Sequence, residues 1–200
     1  YYVIQKFSSN DGSLLWEKDL TGAIGGYGMG DIAIDTGGNV VIFSAFDSSI
    51  DWNLDGTVDA TTTNSEDIFI AKYDSDGNNL WGEAFSSSSG ATTPYNPQTK
   101  MSINHENNII FIAYVTDQIH PDPENSSTTI TVSNSPVLIE VDPSGKYVYS
   151  QVFSTTTSIG SSFLNGITFD PEDNLYVWGS ASSGNSLDFD INNTSETENP

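Results

Sequence analysis

Short runs in which apolar and polar residues alternate follow one another along the chain, and they return in the same order about every 66 residues. The first run is Val3-Ile4-Gln5-Lys6-Phe7, followed by Asp11-Gly12 and then Leu15-Trp16. It returns as Phe69-Ile70-Ala71-Lys72-Tyr73, Asp76-Gly77 and Leu80-Trp81, and in a more altered form as Leu138-Ile139-Glu140-Val141, Ser144-Gly145 and Val148-Tyr149. A second phrase lies between these copies: Ile32-Ala33-Ile34-Asp35, Gly38-Asn39 and Val40-Val41-Ile42. Its later copies are Ser102-Ile103-Asn104 with Asn107-Asn108-Ile109-Ile110-Phe111, and Ile167-Thr168-Phe169-Asp170 with Asp173-Asn174-Leu175-Tyr176-Val177. Gly12 and Gly77 are 65 positions apart, Gly77 and Gly145 are 68, Asn39 and Asn108 are 69, and Asn108 and Asn174 are 66. A period this steady across unlike side chains marks a repeated architectural unit.

Each phrase predicts a β-hairpin, because its apolar runs are broken by Asp, Gly and Asn, which tolerate positive φ in tight turns. The turns are expected at Asp35 to Asn39, Asp74 to Asn78 and Asp170 to Asn174. No window carries a convincing helical period, so helix content is expected near zero. Two hairpins per repeat make four strands, and four-stranded antiparallel sheets at a constant period describe the blades of a β-propeller. A β-sandwich also has many short strands, but it does not repeat whole four-strand phrases.

The stretch from Asp67 to Trp81, Asp-Ile-Phe-Ile-Ala-Lys-Tyr-Asp-Ser-Asp-Gly-Asn-Asn-Leu-Trp, resembles the bacterial-type β-propeller repeat, also called the seven-bladed propeller repeat. So does Gly166 to Gly179, Gly-Ile-Thr-Phe-Asp-Pro-Glu-Asp-Asn-Leu-Tyr-Val-Trp-Gly. The likeness covers nearly the whole chain. The second repeat departs most, with His105-Glu106-Asn107 in place of the acidic-Gly turn and Pro121 to Ser127 in place of a strand lead-in. The resemblance implies large secreted or surface proteins, few of which have a defined activity. Cut at the repeat boundary, residues 1–20 read as the outer hairpin of a blade, 21–86 and 87–154 as two blades, and 155–200 as a partial blade, within one repeat domain. Closed propellers have about 4–8 blades, so three equivalents are expected to meet the remaining blades of a longer parent chain, copies of themselves, or an open stack. Tyr1 opens in mid-pattern without a start methionine, which reads as an excerpt or a processed product.

The charge balance narrows the partners. Net charge is -22, the five basic residues are all lysines, and arginine and cysteine are absent. Nucleic acid is not expected as a partner and anionic membrane surfaces are disfavoured, because both need clustered cations. No apolar run approaches the roughly 20 residues that span a bilayer, so membrane insertion is not expected. Neither disulfides nor thiol chemistry are possible. The acidity, with abundant Ser, Thr and Asn, suits a secreted or cell-surface setting in salty or calcium-containing medium, or solubility alone.

Asp51-Trp52-Asn53-Leu54-Asp55-Gly56-Thr57-Val58-Asp59 carries oxygen ligands at alternate positions and a Gly sixth, like the first half of an EF-hand loop. Asp51, Asn53, Asp55 and Asp59 are the candidate calcium ligands. Thr62 stands where a bidentate Glu is expected, so a looser calcium turn or a plain acidic loop are the two readings. Asp188-Phe189-Asp190-Ile191-Asn192 echoes it. The aromatic that follows the first Asp in both, Trp52 and Phe189, is expected to pack between blades.

Trp16, Trp81 and Tyr149 share one slot, four positions after the turn glycine. Around the first two, the Asp-Gly-Ser-Leu-Leu-Trp and Asp-Gly-Asn-Asn-Leu-Trp stretches are similar to the tryptophan docking repeat of pyrroloquinoline-quinone dehydrogenases. That resemblance implies an aromatic that locks neighbouring blades. The cofactor is not expected, since no Arg is present to contact it and no vicinal Cys pair exists. His105 and His120 make no zinc pattern, no nucleophile elbow occurs, and no pair among 27 acidic residues stands out, so an enzyme is not expected. Tyr27 and Tyr95 lie in Gly- and Ser-rich loops at equivalent places, which offers a glycan-binding face as the alternative to a structural or adhesive scaffold.

Overall fold

The computed structural model describes residues 2–22, 30–62, 66–88, 91–92, 100–125, 127–132, 135–153 and 162–181, and among these no helix occurs. Seventeen strands follow one another among the described residues: β1 Tyr2–Phe7, β2 Leu14–Gly22, β3 Asp31–Ile34, β4 Val40–Phe46, β5 Ser49–Asp51, β6 Ala60–Thr61, β7 Asp67–Tyr73, β8 Asn79–Phe85, β9 Ala91–Thr92, β10 Met101–Ile103, β11 Ile109–Val115, β12 Gln118–Ile119, β13 Ile130–Thr131, β14 Ser135–Val141, β15 Tyr147–Val152, β16 Ser162–Phe169 and β17 Leu175–Ala181.

Two complete four-stranded antiparallel sheets carry the plan, β3-β4-β7-β8 and β10-β11-β14-β15, with β9 added beside β11. A hairpin flanks them on either side: β1-β2 precedes the first sheet and β16-β17 follows the second. The middle strands β4, β7, β11 and β14 are buried along their whole length, because each sheet is covered on both faces. This explains why their sequences are near-continuous apolar runs. Along β4, Val41, Phe43 and Ala45 face the second sheet, while Val40, Ile42 and Phe46 face the β1-β2 hairpin. The same alternation on β11 sends Ile109, Phe111, Ala113 and Val115 toward the first sheet and Ile110, Ile112 and Tyr114 toward β16-β17. Between the two sheets the Phe111 ring lies 4.9 Å from Phe43 and 5.1 Å from Phe85, centroid to centroid. Three apolar layers thus alternate with sheets in chain order, as stacked propeller blades require.

The connection between second and third strands exceeds the two-hairpin plan. In the first sheet it forms the short hairpin β5-β6, and β5 pairs backward onto the end of β2, Thr21 with Asp51 and Gly22 with Ile50. In the second it forms β12-β13, and Ile119 bridges to Ser87, just past β8. Each short hairpin therefore ties its own sheet to the outer strand of the one before. Pro121 to Asn125, in the stretch that lacks a strand lead-in, lie between β12 and β13 in that second connection.

Candidate functional site

The outer hairpins meet through one repeated device. The Trp16 indole Nε1 donates to the Ser75 carbonyl at 3.0 Å, and Lys6 Nζ donates to the same oxygen at 2.6 Å. One sheet further on, Trp81 Nε1 and Lys72 Nζ both donate to the Pro143 carbonyl, at 3.1 and 3.2 Å. The receiving turns carry Gly77 and Gly145 at φ of 81° and 91°, and a Cβ there would come within 3.1 Å of the Trp16 ring and 2.9 Å of the Trp81 ring. Glycine is needed twice over, for the left-handed backbone and for the ring above it. The shared aromatic slot is thus a contact between neighbouring outer turns. Sequence reasoning found the rings but missed the lysines directly opposite them on the neighbouring strand, although Lys6 and Lys72 also repeat at the 66-residue period.

In the third copy those two slots hold Glu140 and Tyr149, both acceptor-capable. Asn108 Nδ2 donates to Glu140 Oε1 at 2.8 Å, and burial, then the Glu140 carboxylate, push the Tyr149 hydroxyl up to about 12.

Lys72 has a second role. Its ammonium lies 2.9 Å from Asp35 Oδ2 with both side chains almost fully buried. Burial pulls the Asp35 carboxyl upward, but hydrogen bonds from Asn39 and Lys72 outweigh it and hold the group at about 2. Asp35 also closes its own turn, accepting from the backbone N–H of Gly37 and Asn39. Asp74, Asp142 and Asp170 close their turns in the same way, each taking the N–H groups two and four residues on.

The inner turns are joined in a ladder. Thr36 donates through both its N–H and its hydroxyl to Asn107 Oδ1 at 2.8 Å. His105 N–H donates to Asp173 Oδ1 at 2.9 Å, and its ring Nδ1 lies 2.8 Å from the same oxygen. The accepting side chains belong to Asn107 and Asp173, at φ of 67° and 62°, the places that Gly38 holds in the first turn. The hydrogen bond from His105 N–H, then that from its ring, hold the Asp173 carboxyl below the usual range. Pro171 takes the step that Thr36 and His105 take in the other turns and has no N–H to give. The second position of one turn is paired with the fourth position of the next, 71 and 68 residues on, a signal the period contained but that reading single turns did not use.

The acidic loop between β5 and β6 is built from carboxylate-to-backbone hydrogen bonds. Asp51 accepts from Leu54 and Gly56 N–H through its two oxygens, and Asp59 Oδ2 accepts from Trp52 and Asn53 N–H. Asn53 Oδ1 takes Asp55 N–H, and Asp55 Oδ1 takes Thr57 N–H. These side chains are turned onto four separate sets of backbone donors. Among the described residues no group of three or more His, Asp or Glu is placed to hold a metal ion. Trp52 lies stacked 6.5 Å from Phe69, within the apolar layer between β1-β2 and the first sheet, as expected of that slot. Tyr27, Tyr95 and the Asp188 to Asn192 echo lie outside the described residues. His120 Nδ1 is 3.3 Å from the Thr129 hydroxyl.

No protein-family profile matches the chain. Among curated proteins it is similar to an uncharacterized WD repeat-containing protein of Acanthamoeba polyphaga mimivirus, 22% identical over 197 aligned positions. The alignment covers 86% of this chain and 14% of that protein, so the chain spans about a seventh of its relative's length. The likeness agrees with the sheets described above: the fold is an all-β, propeller-type array of four-stranded antiparallel blades.

Proposed function

We propose that the protein is a non-catalytic interaction module, a stack of blades whose end faces bind further protein: the remaining blades of a longer chain or a second copy. The observation that carries this reading is an exposed apolar pair on β17. Tyr176 and Trp178 are 58% and 57% exposed, while Val41 and Phe43, at the same places on β4, are buried against the next sheet. Covering two such side chains contributes about 1.5–3 kcal/mol each. Val3 and Phe7 expose the opposite face on β1. The similarity to a WD repeat-containing protein supports an interaction role over an enzymatic one. The net charge of -22 supports a secreted or cell-surface setting of the bacterial repeat type.

Light scattering across protein concentration tests it. Association above the 21.6 kDa monomer, reversed by Trp178→Asp, is the expected result. A mass that stays monomeric at every concentration, unchanged by that substitution, overturns the second-copy reading and leaves the remaining blades of a longer chain as what the end faces bind.

A further inference from the structure

Three successive inner turns enclose a cup of about 360 Å³ at the end of the innermost strands. Its floor is apolar and repeated: Ile34, Ile103 and Phe169 each stand one residue before the turn-opening Asp35, Asn104 or Asp170. Pro171, with no N–H to offer, keeps its own side of the wall apolar. The ladder that joins Thr36 to Asn107 and His105 to Asp173 fixes the three turns against one another, so the cup is pre-formed.

Acidic residues border the cup. Asp170 lines it, and Glu106 and Glu172, both exposed, directly follow the lining residues His105 and Pro171 at the third position of neighbouring turns, with Asp173 next to Glu172. Hydrogen bonds keep both aspartates ionised, for Asp170 chiefly the one from the Asn174 side chain. No lysine offsets them: Lys6 and Lys72 are committed to outer-turn carbonyls, Lys18 lies against Gly77 of an outer turn, Lys146 reaches Glu124, and Lys100 is buried at the far end of β10. A free metal ion is a poor fit, since no three ligating side chains converge among the described residues. A cation carried on a side chain fits better, because it needs only one or two carboxylates at the edge of an apolar seat.

We propose that this cup takes an extended segment of a partner protein in which a Lys or Arg directly neighbours a large aliphatic side chain. The aliphatic group seats between Ile34, Ile103 and Phe169, and the cation meets Glu106 and Glu172. This surface is separate from the blade faces, so it stands or falls independently of association through Trp178.

The probe is a fluorescein-labelled hexapeptide, Gly-Lys-Leu-Lys-Leu-Gly, followed by anisotropy. Two companions replace Leu by Ser or Lys by Glu. Saturable binding of the first is expected, with each companion about tenfold weaker or worse. Raising salt from about 50 to about 300 mM weakens it several-fold, as charge pairing at a rim requires. The doubly substituted E106K/E172K protein, altered only at exposed positions, is expected to lose about tenfold. A protein with the same charge change on β2, E17K/D19K, keeps its affinity, and so does Trp178→Asp. Equal binding of all three peptides, no saturable binding, or equal loss in the β2 control each overturns the proposal. Binding that survives E106K/E172K does so too, and would leave a purely apolar ligand for the cup.

Discussion

The two complete sheets share one plan yet close the same buried position with opposite charge. In the first, Lys72 on β7 sits 2.9 Å from Asp35 and also donates to the Pro143 carbonyl of the next turn. In the second, Glu140 on β14 takes the lysine's place, Asn104 takes the aspartate's, and Asn108 donates to Glu140. Either sign is accepted where the turn supplies the complement, because the position is out of water and only an unmatched group is costly. The difference lies in what each side chain offers the following sheet: an ammonium can donate to a turn carbonyl, a carboxylate cannot. The first sheet is therefore held by an ion pair that also spans a junction, the second by an amide–carboxylate bond confined to one sheet.

Removing one charge breaks that comparison most severely. Lys72→Met leaves Asp35 buried without its counter-ion and deprives Pro143 of a donor, so unfolding in denaturant is expected to show a loss of about 3–5 kcal/mol. A loss below about 1 kcal/mol would mean that water or rearrangement already solvates the pair.

Acid tests the same pair without mutation. The folded pKa of Asp35 is about 2, below its ordinary 3.8, so the ionised form favours the fold. Its contribution, roughly 2–3 kcal/mol, is complete above about pH 4 and is lost as pH falls toward 2. In Asp35→Asn/Lys72→Met this part of the acid slope is expected to vanish, read from denaturation midpoints between pH 4 and 2. An unchanged slope would assign acid sensitivity to the turn-closing Asp74, Asp142 and Asp170 instead.

The smallest effect belongs to the second sheet. Asn108→Ala removes a single hydrogen bond to the buried Glu140 carboxylate and should cost about 1–2 kcal/mol. A cost equal to that of Lys72→Met would erase the distinction drawn between the sheets.

Much of the fold was legible in the residues. The strand runs, the turns at Asp35 to Asn39, Asp74 to Asn78 and Asp170 to Asn174, and the Trp16/Trp81 slot all lie where the pattern puts them. They are local: alternation, a left-handed glycine and a turn-closing carboxylate act within about five residues. In the acidic loop, local spacing did not disclose that nearby backbone N–H groups take the oxygens of Asp51, Asn53, Asp55 and Asp59, or that the Asn53 amide donates to Asp59. The short hairpins β5-β6 and β12-β13 were also invisible, because their two- and three-residue strands depend on pairing with the preceding sheet.

The sequence by itself determined the period, the strands and the turns, since each follows from neighbours along the chain. Only the tertiary structure decided which side chains meet across that period: Lys72 with Asp35 and Pro143, Thr36 with Asn107, His105 with Asp173, and the apolar cup they surround. Those partners stand 37 to 71 residues apart, and nothing local selects them. They are brought together by the stacking of sheets, whose apolar layers fix every turn against the next.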